Sequence, residues 1–381
     1  MARKVDRDDF EEIGKLYFKE HYSVNAIESE FNKKYTRTSI VNAVDVWKKS
    51  GRVKIEILPV DASQTRAEEE KALLHWQKRL TDEFELKACR LVHGVVYENG
   101  RDIDAAVTRV KMELGECAGK YLSDVIPALF PKKEKDKRTI CVGAGSAVHY
   151  SIGQIVLEDN LEPDLVIIPT TGMLGWRRLS TSPIANARRL ERVIGNARLH
   201  SYSVPAVIPK QTGINADQIK KSLELLRVVK AVDDLRKTAQ MYILSVTDAP
   251  KIDEWSGDLL KLIDVETKER YKQLLKGEMK KNPPVGALSG IVFDKSGKEI
   301  TEVPWVTTGI SMTELCEAVK REATVILIGG GEEARNEAIF ALLESKSINV
   351  LITDLKTARD LVHLSETEKH RTGTLRKKRT T

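Results

Sequence analysis

The stretch Thr139-Ile140-Cys141-Val142-Gly143-Ala144-Gly145-Ser146-Ala147-Val148 decides the fold. Its first four residues suit a buried strand, its two glycines allow a tight turn, and Ser146 offers a hydroxyl at the start of a helix. Further short apolar runs follow at Leu165 to Pro169, Met241 to Val246, Thr324 to Ile328 and Ile348 to Thr353. Helical periodicity marks Val148 to Leu157, Ile184 to Val193, Ser311 to Val319 and Ala334 to Glu344. The alternation predicts an α/β fold with a doubly wound, mostly parallel sheet, in which ligands gather at the carboxyl ends of the strands.

Three of those ends carry unusual residues. Gly143, Gly145 and Ser146 form the first turn, Thr170, Thr171 and Gly172 the second, and Gly329-Gly330-Gly331 with Glu332, Glu333 and Arg335 the third. Free backbone amides, hydroxyls and a cation at helix starts suit an anion such as phosphate or carboxylate. A dinucleotide is disfavoured, because the third glycine of GxGxxG is missing and the next strand ends in Thr170, not an acid. His93, His149, His200 and His363 have neither metal spacing nor a neighbouring nucleophile, so no catalytic residue, metal or cofactor is expected.

Working outward to the N-terminus, Phe10, Ile13, Leu16 and Tyr17 recur at helical spacing, and a second short helix is read from Ser23 through Val24, Ile27 and Phe31. Thr36 can cap a third helix with Ile40, Val44 and Trp47 on its apolar face. Asp6 to Glu30 is acidic, whereas Lys33 to Lys54 holds seven basic residues and one acid. A polar face of Thr36, Arg37, Thr38, Ser39, Asn42, Lys48 and Lys49, with Arg52 beyond it, mixes donors for base edges with cations for phosphate. Val53 to Ile57 alternates like a strand and suits a wing.

The expected organisation is a winged helix-turn-helix DNA-binding domain at residues 1–58, a linker at 59–67, an effector-binding and oligomerisation domain at 68–365, and a basic disordered tail at 366–381. A chain of 381 residues has room for these parts. Its charge of +6 is mild, so the location of the charge matters more than the total. Cys89, Cys117, Cys141 and Cys316 lie too far apart for a metal motif and read as buried apolar groups in a reducing compartment. No membrane-spanning run and no apolar leader is read, which predicts a cytoplasmic protein.

The blocks Ser182-Pro183-Ile184-Ala185-Asn186-Ala187-Arg188-Arg189-Leu190, Val204-Pro205-Ala206, Gly286 through Phe293-Asp294, Gly309-Ile310-Ser311 and Asn349-Val350-Leu351-Ile352-Thr353-Asp354, with Thr357-Ala358, resemble the SorC family of sugar-responsive transcriptional regulators. The resemblance runs from about Phe10 to Leu364. It implies a sheet domain like that of sugar-phosphate isomerases, used for sensing, together with dimers or tetramers that hold operator DNA. It also implies that Gly143, Gly145, Ser146, Thr171, Gly172 and Arg335 face a ligand phosphate, and the expected effector site further includes Ala147, Gly331 and Glu332. Three departures bear on the ligand: Ala147 stands where a threonine is common, the 286–290 segment omits a carboxylate, and the Thr171 turn lacks an arginine. A sugar-phosphate isomerase and a regulator that has lost its ligand site are the rival readings.

If Lys48 and Lys49 meet phosphates, replacing both by alanine weakens binding to every DNA sequence and flattens the salt dependence by roughly one unit of slope per lost contact. Titrations at several salt concentrations check this, and an unchanged slope removes both lysines from the interface.

Overall fold

The computed structural model describes residues 5–18, 27, 28, 30, 31, 34–49, 62–94, 103–131, 138–157, 165–172, 179–195, 197–201, 204–210, 216–248 and 265–379. Two compact units are present, Met1–Lys71 with Val95–Arg109 and Ala72–Gly94 with Val110–Thr381.

The first unit contains helices α1 (Arg7–Phe18) and α2 (Arg37–Lys49), with helical backbone at Ile27, Glu28 and Glu30 between them. Ile13, Leu16, Ile27, Tyr35, Ile40, Ala43 and Val44 form its core, so the expected first and third helices pack as read. Ser23, Val24 and the wing segment Val53 to Ile57 lie outside the described residues. The Thr36 hydroxyl accepts from the Ser39 amide at 3.3 Å and so caps α2. A polar staple fixes the approach to that cap. The buried Tyr35 donates its hydroxyl to Asp9 at 2.6 Å, and Lys34 pairs with Asp6 at 3.1 Å and Asp9 at 2.5 Å. Hydrogen bonds from Lys34 and then Tyr35 hold both aspartates below their ordinary value.

Helix α3 (Ala62–Phe84) corrects the expected linker, because helix begins at Ala62 where 59–67 was read as loop. Residues 62–67 contain neither proline nor glycine, so nothing in them stops a helix.

The second unit is built on strands β1 (Ala88–Val92), β2 (Arg138–Val142), β3 (Leu165–Pro169), β4 (Arg198–Leu199), β6 (Met241–Leu244), β11 (Thr324–Ile328) and β12 (Val350–Asp354). They pair in the order β1-β12-β11-β6-β2-β3-β4, all parallel. Every residue of β2, β3, β6, β11 and β12 is buried, which requires cover on both faces. The cover includes α4 (Ile103–Leu129), α5 (Ser146–Ile152), α6 (Pro183–Ile194), α8 (Arg227–Lys237), α10 (Met312–Lys320), α11 (Asn336–Glu344) and α12 (Leu355–Arg379), whereas α7 (Ala216–Glu224) buries no residue and α9 (Val265–Lys276) sends Tyr271 into a separate, smaller core. Several start where the sequence signals it. Ser182 caps α6 through the Ala185 amide with Pro183 in the first turn, and Ser311 with Glu314 closes a reciprocal capping box on α10.

An antiparallel excursion interrupts the alternation. Strands β7 (Thr247–Asp248), β8 (Pro284–Leu288) and β9 (Ile291–Asp294) form one small sheet, and β5 (Val207–Pro209) pairs with β10 (Trp305–Thr307). Tyr271, Met279, Val292 and Trp305 are among the side chains of their separate core. The β8–β9 hairpin turns on Ser289 and Gly290, with φ of 52° and 90°, the backbone that a two-residue hairpin favours.

The tail read as disordered is also corrected, since α12 continues to Arg379. Its first turns are buried at Ala358, Leu361, Val362 and Ser365, while Ser365 and Lys369 bond Glu83 and Glu366 pairs with Arg79. A helix anchored this way can propagate through residues that would not nucleate alone.

Tyr35→Phe removes the hydroxyl from the polar staple and should speed amide hydrogen exchange in α1 and α2 at neutral pH, leaving β11 and β12 unchanged. Because the Asp6 and Asp9 values are lowered on folding, their contribution is complete at neutral pH and is lost as pH falls below 3.8. Exchange rates in α1 that do not respond to the substitution would show that the staple is unimportant.

Candidate functional site

The parallel register brings the carboxyl ends of β3, β2, β6 and β11 side by side. At about 4.8 Å per strand they span roughly 14 Å. Neighbouring turns are tied across this edge. The Thr170 amide donates to the Val142 carbonyl at 2.9 Å, and the Gly143 amide to the Ile243 carbonyl at 2.8 Å.

The glycine loop after β2 is held from behind. Asn186, fully buried on the apolar stripe of α6, donates its side-chain amide to the Gly143 carbonyl at 3.0 Å. The Gly145 amide donates to Thr181 O at 3.0 Å. The amides of Gly143 and Gly145 are therefore occupied, contrary to the reading of a loop with its glycine amides free. What remains is the first turn of α5, where Gly145 is the cap residue and no side chain caps the helix. Gly145 has φ of 117°, a conformation that side-chain-bearing residues rarely adopt. Ala147 is buried and packs inward, so its contribution to a ligand would be through backbone. His149 accepts from Arg189 at 2.8 Å, and burial, followed by the nearby guanidinium, lowers its pKa.

At the second turn Thr171 is wholly buried, and its hydroxyl has no hydrogen-bond partner among the described residues. Gly172 is required by space, since a Cβ there would sit 2.1 Å from the Val204 carbonyl oxygen. Thr170 and Ser289 share a hydroxyl hydrogen bond of 2.8 Å, and the Ile310 amide donates to the Thr170 carbonyl at 2.9 Å. Thus the Gly309-Ile310-Ser311 block and the Ser289 hairpin belong to the same cluster as the second turn.

At the third turn the Gly331 amide donates to Asp354 at 2.7 Å. Arg335 pairs with Glu332 at 2.5 Å, and the other oxygen of Glu332 meets Lys111 at 2.9 Å. The expected phosphate cation is therefore already neutralised by its neighbour.

Sequence reasoning gave no role to Asn186, Ser245, Ser289 or Lys111. Ser245 follows β6 beside Gly145, where an added Cβ would lie 3.0 Å from the Ser245 Cβ. Asn186 did leave a signal, a polar residue on an otherwise apolar helical stripe. Lys111 left none, because its partner is distant in sequence.

On the N-terminal unit, Thr36 and Asn42 are exposed on α2. Ser39 is a correction: it is only 6% exposed, with its hydroxyl 3.0 Å from that of Thr36, so it supports the cap and not the outer face. The side chains of Arg37, Thr38, Lys48 and Lys49, and all of Arg52, lie outside what the structure describes.

A hollow of about 610 Å³ lies elsewhere, lined by Lys221, Glu224, Leu225, Lys230, Asp233, Asp234 and Lys237. None of the strand-end residues lines it, so it is not the candidate site. Among the described residues no acid, histidine or cysteine cluster suits a metal, and no helix is long and apolar enough to cross a membrane.

A family model described as "Putative sugar-binding domain" matches residues 68–363. Full-length sorbitol operon regulator SorC from Klebsiella pneumoniae is 16% identical with a TM-score of 0.56, the match covering 93% of this chain and 99% of that one. A transcriptional regulator from Streptococcus pneumoniae TIGR4 is 13% identical with a TM-score of 0.60, covering 78% and 99%. A DeoR family transcriptional regulator from Listeria monocytogenes is 20% identical with a TM-score of 0.55, covering 76% and 99%. No curated protein sequence matches the chain. At these identities the solved structures establish the fold, and the family model establishes the family.

Asn186→Ala removes the donor to the buried Gly143 carbonyl and should cost about 1–3 kcal/mol of stability. Urea unfolding measures the loss, with Arg188→Ala, an exposed neighbour on the same helix, as the control that should leave the midpoint in place.

Proposed function

The chain belongs to the SorC and DeoR type family of sugar-binding transcriptional regulators, and on that premise we propose that a phosphorylated sugar controls its affinity for operator DNA. The observation that carries this reading is the edge of the sheet. The uncapped start of α5 at Ser146, the Thr171 hydroxyl, which has no partner among the described residues, and the Arg335 guanidinium sit on the turns that follow β2, β3 and β11. Amides at a helix start, a spare hydroxyl and a cation are the donors that a phosphate oxygen accepts from. Thr170, Ser245 and Ser289 beside them offer hydroxyl groups to a sugar.

In this reading Gly143, Gly145, Gly172 and Gly331 shape the turns, Ser146, Ala147 and Thr171 donate to the phosphate, and Arg335 supplies charge. Helix α2 enters the major groove, with Arg37, Thr38 and Asn42 toward base edges and Lys48, Lys49 and Arg52 toward phosphates. The protein works in the cytoplasm as a homo-oligomer, dimer or tetramer, because paired half-sites are read by symmetric partners. Ligand binding shifts the population between arrangements that fit or misfit the operator. An isomerase needs a positioned acid and base. The acids on the third turn are instead engaged in the fold, Glu332 between two cations and Asp354 by the Gly331 amide and the Thr357 hydroxyl.

Arg335→Ala should lower affinity for the phosphorylated effector by roughly ten- to a hundredfold, as expected for loss of a charge-assisted hydrogen bond. Operator binding without ligand should persist. Melting-temperature shifts against a panel of sugar phosphates, paired with gel-shift titrations, test both statements. A variant that responds to effector like the parent would move the phosphate site elsewhere.

A further inference from the structure

Arg335 is not free to meet an anion in this structure. One guanidinium nitrogen lies 2.5 Å from Glu332 Oε2, while Glu332 Oε1 lies 2.9 Å from Lys111 Nζ. The three side chains are between 15% and 27% exposed, so solvent weakens these contacts less than it would on an open surface. We propose that Glu332 is a built-in counter-ion occupying the anion position, and that a ligand phosphate displaces it to engage Lys111 and Arg335 together. This rests on the phosphosugar reading given above, and it adds Lys111 as a second cation and Glu332 as the group that sets the affinity threshold.

Three features support displacement in preference to a fixed structural bridge. Glu332 is the cap residue of the short turn at Glu333–Arg335, yet its side chain makes no capping bond, and among the described residues its carboxylate pairs with the two cations alone. Arg335 Nε is buried and has no hydrogen-bond partner among the described residues, a donor that a carboxylate shared with Lys111 leaves unused and a phosphate oxygen can accept from. The charges also balance better with phosphate. Two cations and one carboxylate leave a net positive charge, whereas a phosphate monoester of about −1.5 to −2 nearly cancels Lys111 and Arg335 once Glu332 turns away.

The backbone around the triad is held, which confines the change to side chains. The Gly331 amide is anchored on Asp354 at 2.7 Å, and a Cβ on Gly331 would meet Val110 at 2.9 Å, so the turn is pressed against the helix that carries Lys111. A sugar without phosphate brings no charge to exchange for the carboxylate. The arrangement therefore selects phosphorylated over free sugars.

Isothermal titration of the full chain with inorganic phosphate, glucose 6-phosphate and glucose tests the proposal in the parent, Glu332→Gln and Glu332→Gln with Lys111→Met. Glu332→Gln should bind the two phosphates on the order of tenfold more tightly, the Lys111→Met addition should abolish that gain, and glucose should not respond. Circular dichroism confirms that each variant is folded, and Glu332→Ala provides a second removal of the charge. If the parent binds phosphates and neither Glu332 variant binds them more tightly, the counter-ion role is overturned while the phosphosugar reading stands. If no protein in the series binds either phosphate, both readings fall.

Discussion

Five neighbouring strands buried along their whole length constrain everything else in the larger unit. A parallel sheet of this kind cannot present chemistry on its faces, which are committed to packing against helices. Polar groups are therefore pushed to the strand ends, and parallel order puts all the carboxyl ends on one edge. The glycine loop, the threonine turn and the Gly329-Gly330-Gly331 turn share that edge because the crossovers allow no other outcome.

The turns on that edge are more tightly organised than open loops would be. Asn186 holds the Gly143 carbonyl from inside the core, Thr170 bonds Ser289 across to the antiparallel excursion, and Asp354 holds the Gly331 amide. Each contact uses a buried polar group whose loss would leave its partner unsatisfied, so the edge is rigid before any ligand arrives. Rigidity comes with a constraint on binding. Amides that fix the loop cannot also hold an anion, and the one cation on the third turn is matched by its own carboxylate.

The N-terminal unit follows different physics. Its core is small, and a charged staple of Lys34, Asp6 and Asp9 with Tyr35 supplements it at the approach to α2. Thr36 and Ser39 then close the helix start together. The residues that shape this helix end are thus partly the hydroxyl residues that looked like base readers. Capping and recognition draw on the same side-chain chemistry, and only burial distinguishes them.

The sequence by itself determined the sheet class, because buried β-branched runs such as Leu165 to Pro169 and Thr324 to Ile328 alternate with helical patterns, and alternation is a local property. It also determined the family through Ser182 to Leu190 and the other separated blocks. It missed β1, β4 and the antiparallel strands, which are short or are defined by distant partners. It also ended the last helix too early, because its anchors at Glu83 and Arg79 are about 280 residues away. Which loop amides are occupied, that Ser39 turns inward, that Asn186 faces Gly143, and that Lys111 meets Glu332 were decided only by tertiary structure. The physical reason is the same in each case: hydrogen bonds and ion pairs between residues far apart in the chain have no periodicity to read, and they exist only once packing has brought the two groups together.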